Sequence, residues 1–277
     1  MTTTAITGST GNVGGAVARQ LASLGVPLTL IVRDASRAPA LPDCEVATAS
    51  YANEVSMVSA LSGVDVLFMV SAHENATRLD EHRAVVRSAV GAGVRHIVYT
   101  SFVGATHDSG FTLGRDHAAT EQAIRDSGID FTFLRDNFYL DLLPEFADEN
   151  GVIRGPAGTG KIAAVARADV ADVATVVLRS PERHRRTSYD LTGREAITFS
   201  ELATRVTNAT GRLMSFHNET VDEAYESRAR FGAETWQLDA WVSTYTAIRD
   251  GELAAISGDI RALTGHEPRV LEDLFGR

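Results

Sequence analysis

The residues best suited to chemistry stand close to the amino terminus. Ile6-Thr7-Gly8-Ser9-Thr10-Gly11-Asn12-Val13-Gly14-Gly15 sets glycines at a Gly-x-x-Gly-x-x-Gly spacing, after a short β-branched run and before an amphipathic stretch. Glycines there permit a tight turn and let the backbone approach an anion closely, while the following helix offers unpaired N–H groups and the positive end of its dipole. A dinucleotide diphosphate suits such a loop, with Gly8, Thr10, Gly11, Asn12, Val13 and Gly14 as its cradle. The next run ends Leu30-Ile31-Val32-Arg33-Asp34. A carboxylate at that point would accept from a ribose 2′-hydroxyl, whereas a guanidinium offers a fork to a 2′-phosphate. Arg33 comes first and Arg37 lies one helical turn further, so the phosphorylated coenzyme, NADPH, is favoured, with Asp34 as a competing ribose ligand.

Elements that could position this loop follow from hydrophobic period. Thr4 to Thr7, Leu28 to Val32, Glu45 to Ala49, Val64 to Val70, His96 to Thr100 and Phe131 to Leu134 read as strands. Helical patterns lie between them at Val13 to Leu24, Glu54 to Leu61, Leu79 to Ala92 and Arg115 to Ser127, with Gly25, Gly93 and Gly128 where helices should stop. Strand alternating with helix implies an α/β fold, a doubly wound parallel sheet of the Rossmann kind. After Arg135 the rhythm changes: 151 to 167 is rich in glycine and β-formers, and helical patterns fill most of 200 to 250. The expected division is therefore residues 1–135 as the NADP-binding domain and 136–277 as a smaller C-terminal α/β lobe for substrate, partly interleaved with the sheet.

In a sheet of this kind the coenzyme crosses the carboxyl ends of the strands at the point where strand order reverses. Ser71, Ala72 and His73 after the fourth strand are thereby brought towards it, and the residues from Tyr99 to Phe102 and from Arg135 to Tyr139 should line the nicotinamide end. His73 and Phe102 are expected to flank the nicotinamide.

At this point the sequence resembles the atypical short-chain dehydrogenase/reductases, within them the NmrA-like group, and most closely its NADPH quinone reductase and triphenylmethane reductase branch. The resemblance is carried by the glycine loop, Ala92-Gly93-Val94-Arg95-His96-Ile97-Val98-Tyr99-Thr100-Ser101, His117-Ala118-Ala119-Thr120-Glu121, Phe131-Thr132-Phe133-Leu134-Arg135 and Ala157-Gly158-Thr159-Gly160-Lys161-Ile162-Ala163, followed by Arg167-Ala168-Asp169-Val170-Ala171. It implies NADPH at Gly8 to Gly14 and Arg33, with substrate in a cleft under the C-terminal lobe. The branch often has Asn after the position of Arg135, where this chain has Asp136 and Asn137 ahead of Phe138 and Tyr139.

Most short-chain dehydrogenases trade a proton through Tyr-x-x-x-Lys, the ammonium lowering the tyrosine pKa. Lys161 is the sole lysine here and Ala157 precedes it by four, so that dyad cannot exist and ordinary alcohol oxidation is disfavoured. His117 stands near where the resemblance and its helix place the missing lysine, and Tyr139 is a candidate hydroxyl. With Asn137, these residues are expected to orient the acceptor. A quinone gains a hydride to become an aromatic anion that is stable near neutral pH, so positioning alone can supply much of the catalysis. A quinone-like or other conjugated electron-poor acceptor is expected, with a non-catalytic NADP-sensing protein of the NmrA type as the alternative.

The 277 residues carry a formal net charge of -10, which repels phosphate polymers and anionic lipid. Neither nucleic acid nor membrane is an expected partner; a small-molecule substrate is. Cys44 is the single cysteine, so no internal disulfide can form, and a reducing cytoplasm is the expected location. Gly155-Pro156-Ala157-Gly158-Thr159-Gly160-Lys161 imitates the start of a P-loop, but Ile162 replaces the hydroxyl residue that would hold magnesium, and a turn in the substrate lobe is expected instead. Trp236 and Trp241, with Leu238 and Tyr245, suit packing of the lobe or a homodimer contact. No metal site is indicated, since the histidines fall at no ligand spacing.

Overall fold

The alternation of β-branched and amphipathic runs is realised as β1 (Thr4–Thr7), α1 (Asn12–Ser23), β2 (Leu28–Val32), β3 (Cys44–Thr48), α2 (Glu54–Ala60), β4 (Val66–Met69), α3 (Arg78–Ala92), β5 (His96–Phe102), α4 (Thr112–Asp126) and β6 (Asp130–Asp136). Then follow β7 (Val152–Gly155), α5 (Arg167–Arg179), β8 (Thr187–Leu191), α6 (Phe199–Thr210), β9 (Ser215–Asn218), α7 (Val221–Ala229), α8 (Thr235–Arg249) and α9 (Asp259–Thr264). This computed structural model describes residues 2–275. Met1 and Gly276 to Arg277, the outermost residues of the two expected segments, lie outside the described residues.

Seven strands form a parallel sheet in the order β3-β2-β1-β4-β5-β6-β8, and β7 pairs with β9 in a separate parallel ribbon. Thr4 is in register with Leu28 on one side and Val66 on the other, so the strand order reverses between β1 and β4. Every residue of β1, β4 and β5 is buried, which is why these strands read as near-continuous apolar runs rather than alternating ones. Gly93 ends α3 in the left-handed region at φ 80°, its N–H bonded back to the last turn.

The chain divides into two compact units. The first runs up to Ser101 and adds Asp116–Arg135 and Val170–Tyr189; the second comprises Phe102–Arg115, Asp136–Asp169 and the residues from Asp190 onward. Each has its own core. In the first, Ala5, Met57, Leu67, Val85, Ile97 and Phe133 pack together, and in the second Phe199, Leu202, Ile153, Ile162, Tyr245 and Ile248 do so.

In the second unit the Gly155–Lys161 run follows β7 and opens no helix. A Cβ on Gly155 would lie 2.4 Å from the Tyr245 ring, and one on Gly160 would lie 2.2 Å from the Ile248 carbonyl oxygen. Those glycines let the turn lie directly on α8, a packing role that accounts for them without an anion. The helical stretch expected from 200 to 250 is three helices broken by β9. Thr198 with Glu201 and Thr220 with Glu223 form capping boxes at α6 and α7, each hydroxyl accepting from the third residue's N–H while the carboxylate reaches back. β8 joins the main sheet without having been legible beforehand, because its residues alternate between half-buried and exposed and leave no apolar run. Among the described residues no helix is long and apolar enough to cross a membrane.

Candidate functional site

β1 delivers Gly8 to the carboxyl edge of the sheet at the switch point. Gly8 adopts φ 64°, a conformation that costs an L-side chain strain, and a Cβ there would sit 3.1 Å from the Cβ of Val70 just past β4. The Gly11 N–H donates back to the Gly8 carbonyl at 2.8 Å and closes the turn. Gly11 then caps α1 in an extended conformation; no side chain caps this helix and no acidic residue lies in its first turn. Gly14 is pressed so tightly on the turn that a Cβ would be 2.5 Å from the Gly8 carbonyl oxygen and 2.8 Å from that of Thr7. Thr10 and Asn12 are exposed and Val13 is buried. Ser9 Oγ is buried and has no hydrogen-bond partner among the described residues. A side-chain-free helix terminus, a turn that admits only glycine and an unanswered buried hydroxyl fit the diphosphate of a dinucleotide.

The neighbouring strand ends hold the loop rigid. Thr7 Oγ1 accepts from the Val70 N–H at 2.9 Å, and Tyr51 Oη lies 2.6 Å from Thr7 Oγ1 and 2.5 Å from the Val70 carbonyl oxygen. Burial pushes the Tyr51 phenol well above its ordinary range, so it stays protonated. Past β2, Arg33 is exposed and makes no ion pair among the described residues, whereas one carboxylate oxygen of Asp34 accepts from both the N–H and the hydroxyl of Ser36, at 2.9 and 2.7 Å. Those two bonds hold the Asp34 carboxyl below its usual range. The residue that would compete for a ribose is therefore engaged in capping the short turn Ala35–Arg37, and the guanidinium is the group left to offer.

The segment after β4 is fixed by side chains from three directions. The Ser71 N–H donates to Thr100 Oγ1 at 2.8 Å. Ala72 is clamped on both backbone groups: Arg78 Nε donates to its carbonyl at 2.9 Å, and its N–H donates to His82 Nε2 at 2.9 Å. Arg78 and His82 are four residues apart and so share one face of α3. His73 is exposed, and its carbonyl accepts from the Asn75 amide.

Arg78, buried to 4% exposure, also donates to Asp116 Oδ2 at 3.2 Å and to His117 Nε2 at 2.9 Å. Donors on Nε2 dictate the tautomers. His117 must carry its proton on Nδ1, which then donates to Tyr99 Oη at 2.9 Å, and His82 must carry its own on Nδ1, which donates to Thr120 Oγ1 at 2.9 Å. The Thr120 hydroxyl in turn donates to the Asp116 carbonyl at 2.8 Å. Burial first, and the Arg78 charge second, hold both imidazoles well below their ordinary pKa, so both are neutral. Arg78, His82 and Tyr51 were not singled out by motif. One signal pointed to Arg78: a cation in the first turn of a helix opposes the dipole and calls for a compensating set of acceptors.

The second unit holds the remaining expected residues. Phe102 is buried against Phe111 and Phe138, with ring centroids 4.9 and 5.1 Å away. Asn137 is buried too; its amide donates to the Leu253 carbonyl at 3.0 Å and its side-chain oxygen accepts from the Phe138 N–H at 2.8 Å. Tyr139 is half-buried, with Oη 3.1 Å from Asp136 Oδ2 and the Arg167 guanidinium 5.6 Å from its ring centre. Asp136 is 3% exposed, and its Oδ1 has no partner among the described residues.

A doubly wound sheet with a glycine-cradled helix terminus at its switch point defines a dinucleotide-binding α/β protein. The chain belongs to the NAD(P)H-binding family, whose profile matches residues 8–181. Quinone oxidoreductase 2 of Escherichia coli K12 is 34% identical over 277 residues, spanning 97% of this chain and 96% of the relative. The structure of an Escherichia coli NADPH-dependent quinone oxidoreductase complexed with NADPH superimposes with a TM-score of 0.87 at 33% identity, covering 98% of each chain. Triphenylmethane reductase of Citrobacter sp., complexed with NADP(H), does so with a TM-score of 0.84 at 31% identity, again over 98% of each.

Proposed function

We propose that this chain is an NADPH-dependent oxidoreductase that passes hydride to a quinone-like or other conjugated electron-poor acceptor. The observation that carries the reading is the pairing of an uncapped, glycine-cradled α1 terminus with an exposed Arg33 whose acidic neighbour is already engaged. Likeness over nearly the whole chain to reductases supports it. The reduced nicotinamide supplies the hydride when bound. Everything else falls to the chain: the Gly8 to Gly14 loop grips the diphosphate, Arg33 reads the 2′-phosphate, and Ser71, Ala72 and His73 shape the coenzyme side. Phe102 packs beside the nicotinamide end. Tyr139 orients the acceptor, while Asn137 and His117, both buried and with their side-chain polar atoms engaged inside the protein, hold their surroundings in register in place of the direct contacts expected of them. Lys161 is exposed and no tyrosine stands four residues before it, so alcohol chemistry by the usual dyad is absent.

The direct test offers NADPH and a panel of small quinones to the purified protein and follows NADPH consumption. Acceptor-dependent turnover is expected; tight NADPH binding with no turnover on any quinone overturns the assignment in favour of a sensor. Arg33→Glu is expected to weaken NADPH by about 10- to 100-fold relative to NADH, since a charge-assisted fork is replaced by a repelling carboxylate. Titrations of both coenzymes by calorimetry give that ratio, and an unchanged ratio removes Arg33 from the 2′-phosphate.

A further inference from the structure

A carboxyl with one hydrogen-bond partner and no solvent is poorly placed to carry charge. Asp136 ends β6, is 3% exposed, and faces one polar group, Tyr139 Oη, at 3.1 Å from Oδ2, while Oδ1 meets nothing. A carboxylate there would leave most of its lone pairs unanswered, at a cost far above that of a neutral acid. The neutral acid satisfies the geometry with Oδ2–H donating to Tyr139 Oη, which frees the phenolic proton to be donated elsewhere. Asp136 is the last residue of β6 and Tyr139 lies three residues beyond it, at the carboxyl end of a strand, where ligands bind in sheets of this kind. Burial pushes the Asp136 carboxyl well above the carboxylate range, in agreement. The charged groups around Tyr139 are Arg167 and Asp141, and these neutralise each other: the Arg167 N–H donates to Asp141 Oδ1 at 3.0 Å and its guanidinium pairs with Oδ2.

We propose that Asp136 is the proton reservoir of the reaction, acting through the Tyr139 hydroxyl, and that the physiological acceptor is accordingly a conjugated carbonyl such as a quinone rather than a carbocation. The inference rests on the reductase reading above. When a quinone takes up hydride from NADPH, one of its oxygens becomes a phenolate. The Tyr139 O–H bond breaks as a new O–H bond forms on that oxygen, and Asp136 Oδ2 passes its proton to Tyr139 Oη and is left as carboxylate. Water reprotonates it by the reverse route once product has left. One hydride and one proton convert quinone to hydroquinone. A phenol alone would be a poor donor in this setting, because burial pushes Tyr139 well above its ordinary range; the relay replaces the acid strength of a phenol with that of a carboxyl. A triphenylmethane cation needs no such donor, since hydride addition to its central carbon yields the neutral leuco dye.

The two acceptor classes give the test. Turnover of a small benzoquinone and of a cationic triphenylmethane dye is measured with wild type, Asp136→Asn and Tyr139→Phe. In both variants kcat for the quinone should fall by about 10- to 100-fold more than kcat for the dye. Wild-type quinone turnover should decline as pH rises through the elevated carboxyl pKa, with no matching decline for the dye. Equal losses on both acceptors, or no loss on the quinone, overturn the relay. Difference infrared spectra of the coenzyme-free protein read the carboxyl without turnover. A protonated-carboxyl band at neutral pH that is missing from Asp136→Asn is expected, and its absence from wild type also overturns the proposal. A wild type that binds NADPH yet reduces neither acceptor marks instead the failure of the reductase reading.

Discussion

Gly14→Ala should reduce NADPH affinity by about 100-fold or more, roughly 2.7 kcal/mol of binding free energy, while Gly11→Ala changes it only modestly. A methyl on Gly14 meets the Gly8 carbonyl oxygen at 2.5 Å, the Gly8 carbonyl carbon at 2.7 Å and the Thr7 carbonyl oxygen at 2.8 Å. All three are backbone atoms of the turn itself, so no rotamer change can relieve the clash. Either the first turn of α1 lifts away from the loop or the Gly8 peptide rotates, and both displace the N–H groups that would face the diphosphate in the proposed cradle. At Gly11 the corresponding contact is 3.2 Å and the backbone is extended at φ -91°, which any residue can adopt. Overpacking at Gly14 also costs about 1–3 kcal/mol of stability, so coenzyme titration must be paired with thermal unfolding of the free protein. A folded Gly14→Ala protein that binds NADPH within threefold of wild type would show that the α1 terminus is not the coenzyme cradle.

How much of this could be read beforehand depends on whether the signal is local. Residues in β1 and β2 bury both faces and are bounded by glycine and charge, so Thr4–Thr7 and Leu28–Val32 were legible to the residue. The helices α1 to α4 were legible to within a few residues, because an amphipathic stripe ends where Gly25, Gly93 and Gly128 turn left-handed. The glycine loop belongs to the same class of signal, since its chemistry and its geometry reside in one short segment. By contrast, the Arg78–His117–Tyr99–Thr120–His82 network joins side chains from α3, β5 and α4 that lie up to 42 residues apart, and no spacing rule reports a tertiary cluster of that kind. His117 could be located from the resemblance and its helix, but its engagement of both ring nitrogens required the fold. Asp136 was visible only as a departure from the branch's usual asparagine; its burial and single partner are properties of the strand end, not of the sequence.

The second large effect is expected at Arg78, whose guanidinium is the one cation in that network. Arg78→Ala removes the donor to the Ala72 carbonyl, to His117 Nε2 and to Asp116 Oδ2 together, leaving the buried His117 Nε2 without its partner. Breaking one side of a buried polar network of this sort costs about 3–5 kcal/mol, a large part of the 5–15 kcal/mol that holds an ordinary domain together. Arg78→Lys should lie between the two, because an ammonium can reach one of the three acceptors and cannot reproduce the fork. Urea unfolding at pH 7 measures both, and a free energy for Arg78→Ala within 1 kcal/mol of wild type, on the scale of an ordinary surface substitution, would remove the structural role. The same network sets the acid limb of stability. His82 and His117 are neutral in the fold but protonate in the unfolded chain near pH 6.5, and His96, lowered by burial to about 4, behaves likewise. The stability contributed by these neutral histidines is therefore complete above pH 6.5 and is lost as pH falls below it, at up to ~1.4 kcal/mol per pH unit for each, whereas Asp136, raised by burial, adds a slope of opposite sign that both proteins share. In Arg78→Ala the burial of His117 remains while the charge beside it is gone, so its folded pKa rises and the range of pH over which its contribution is lost ends at a higher pH, even though the protein is less stable at pH 7. Unfolding free energies of both proteins, followed from pH 7 down to where the acid limb levels off, separate this outcome from a simple loss of packing, which would shift the whole curve equally.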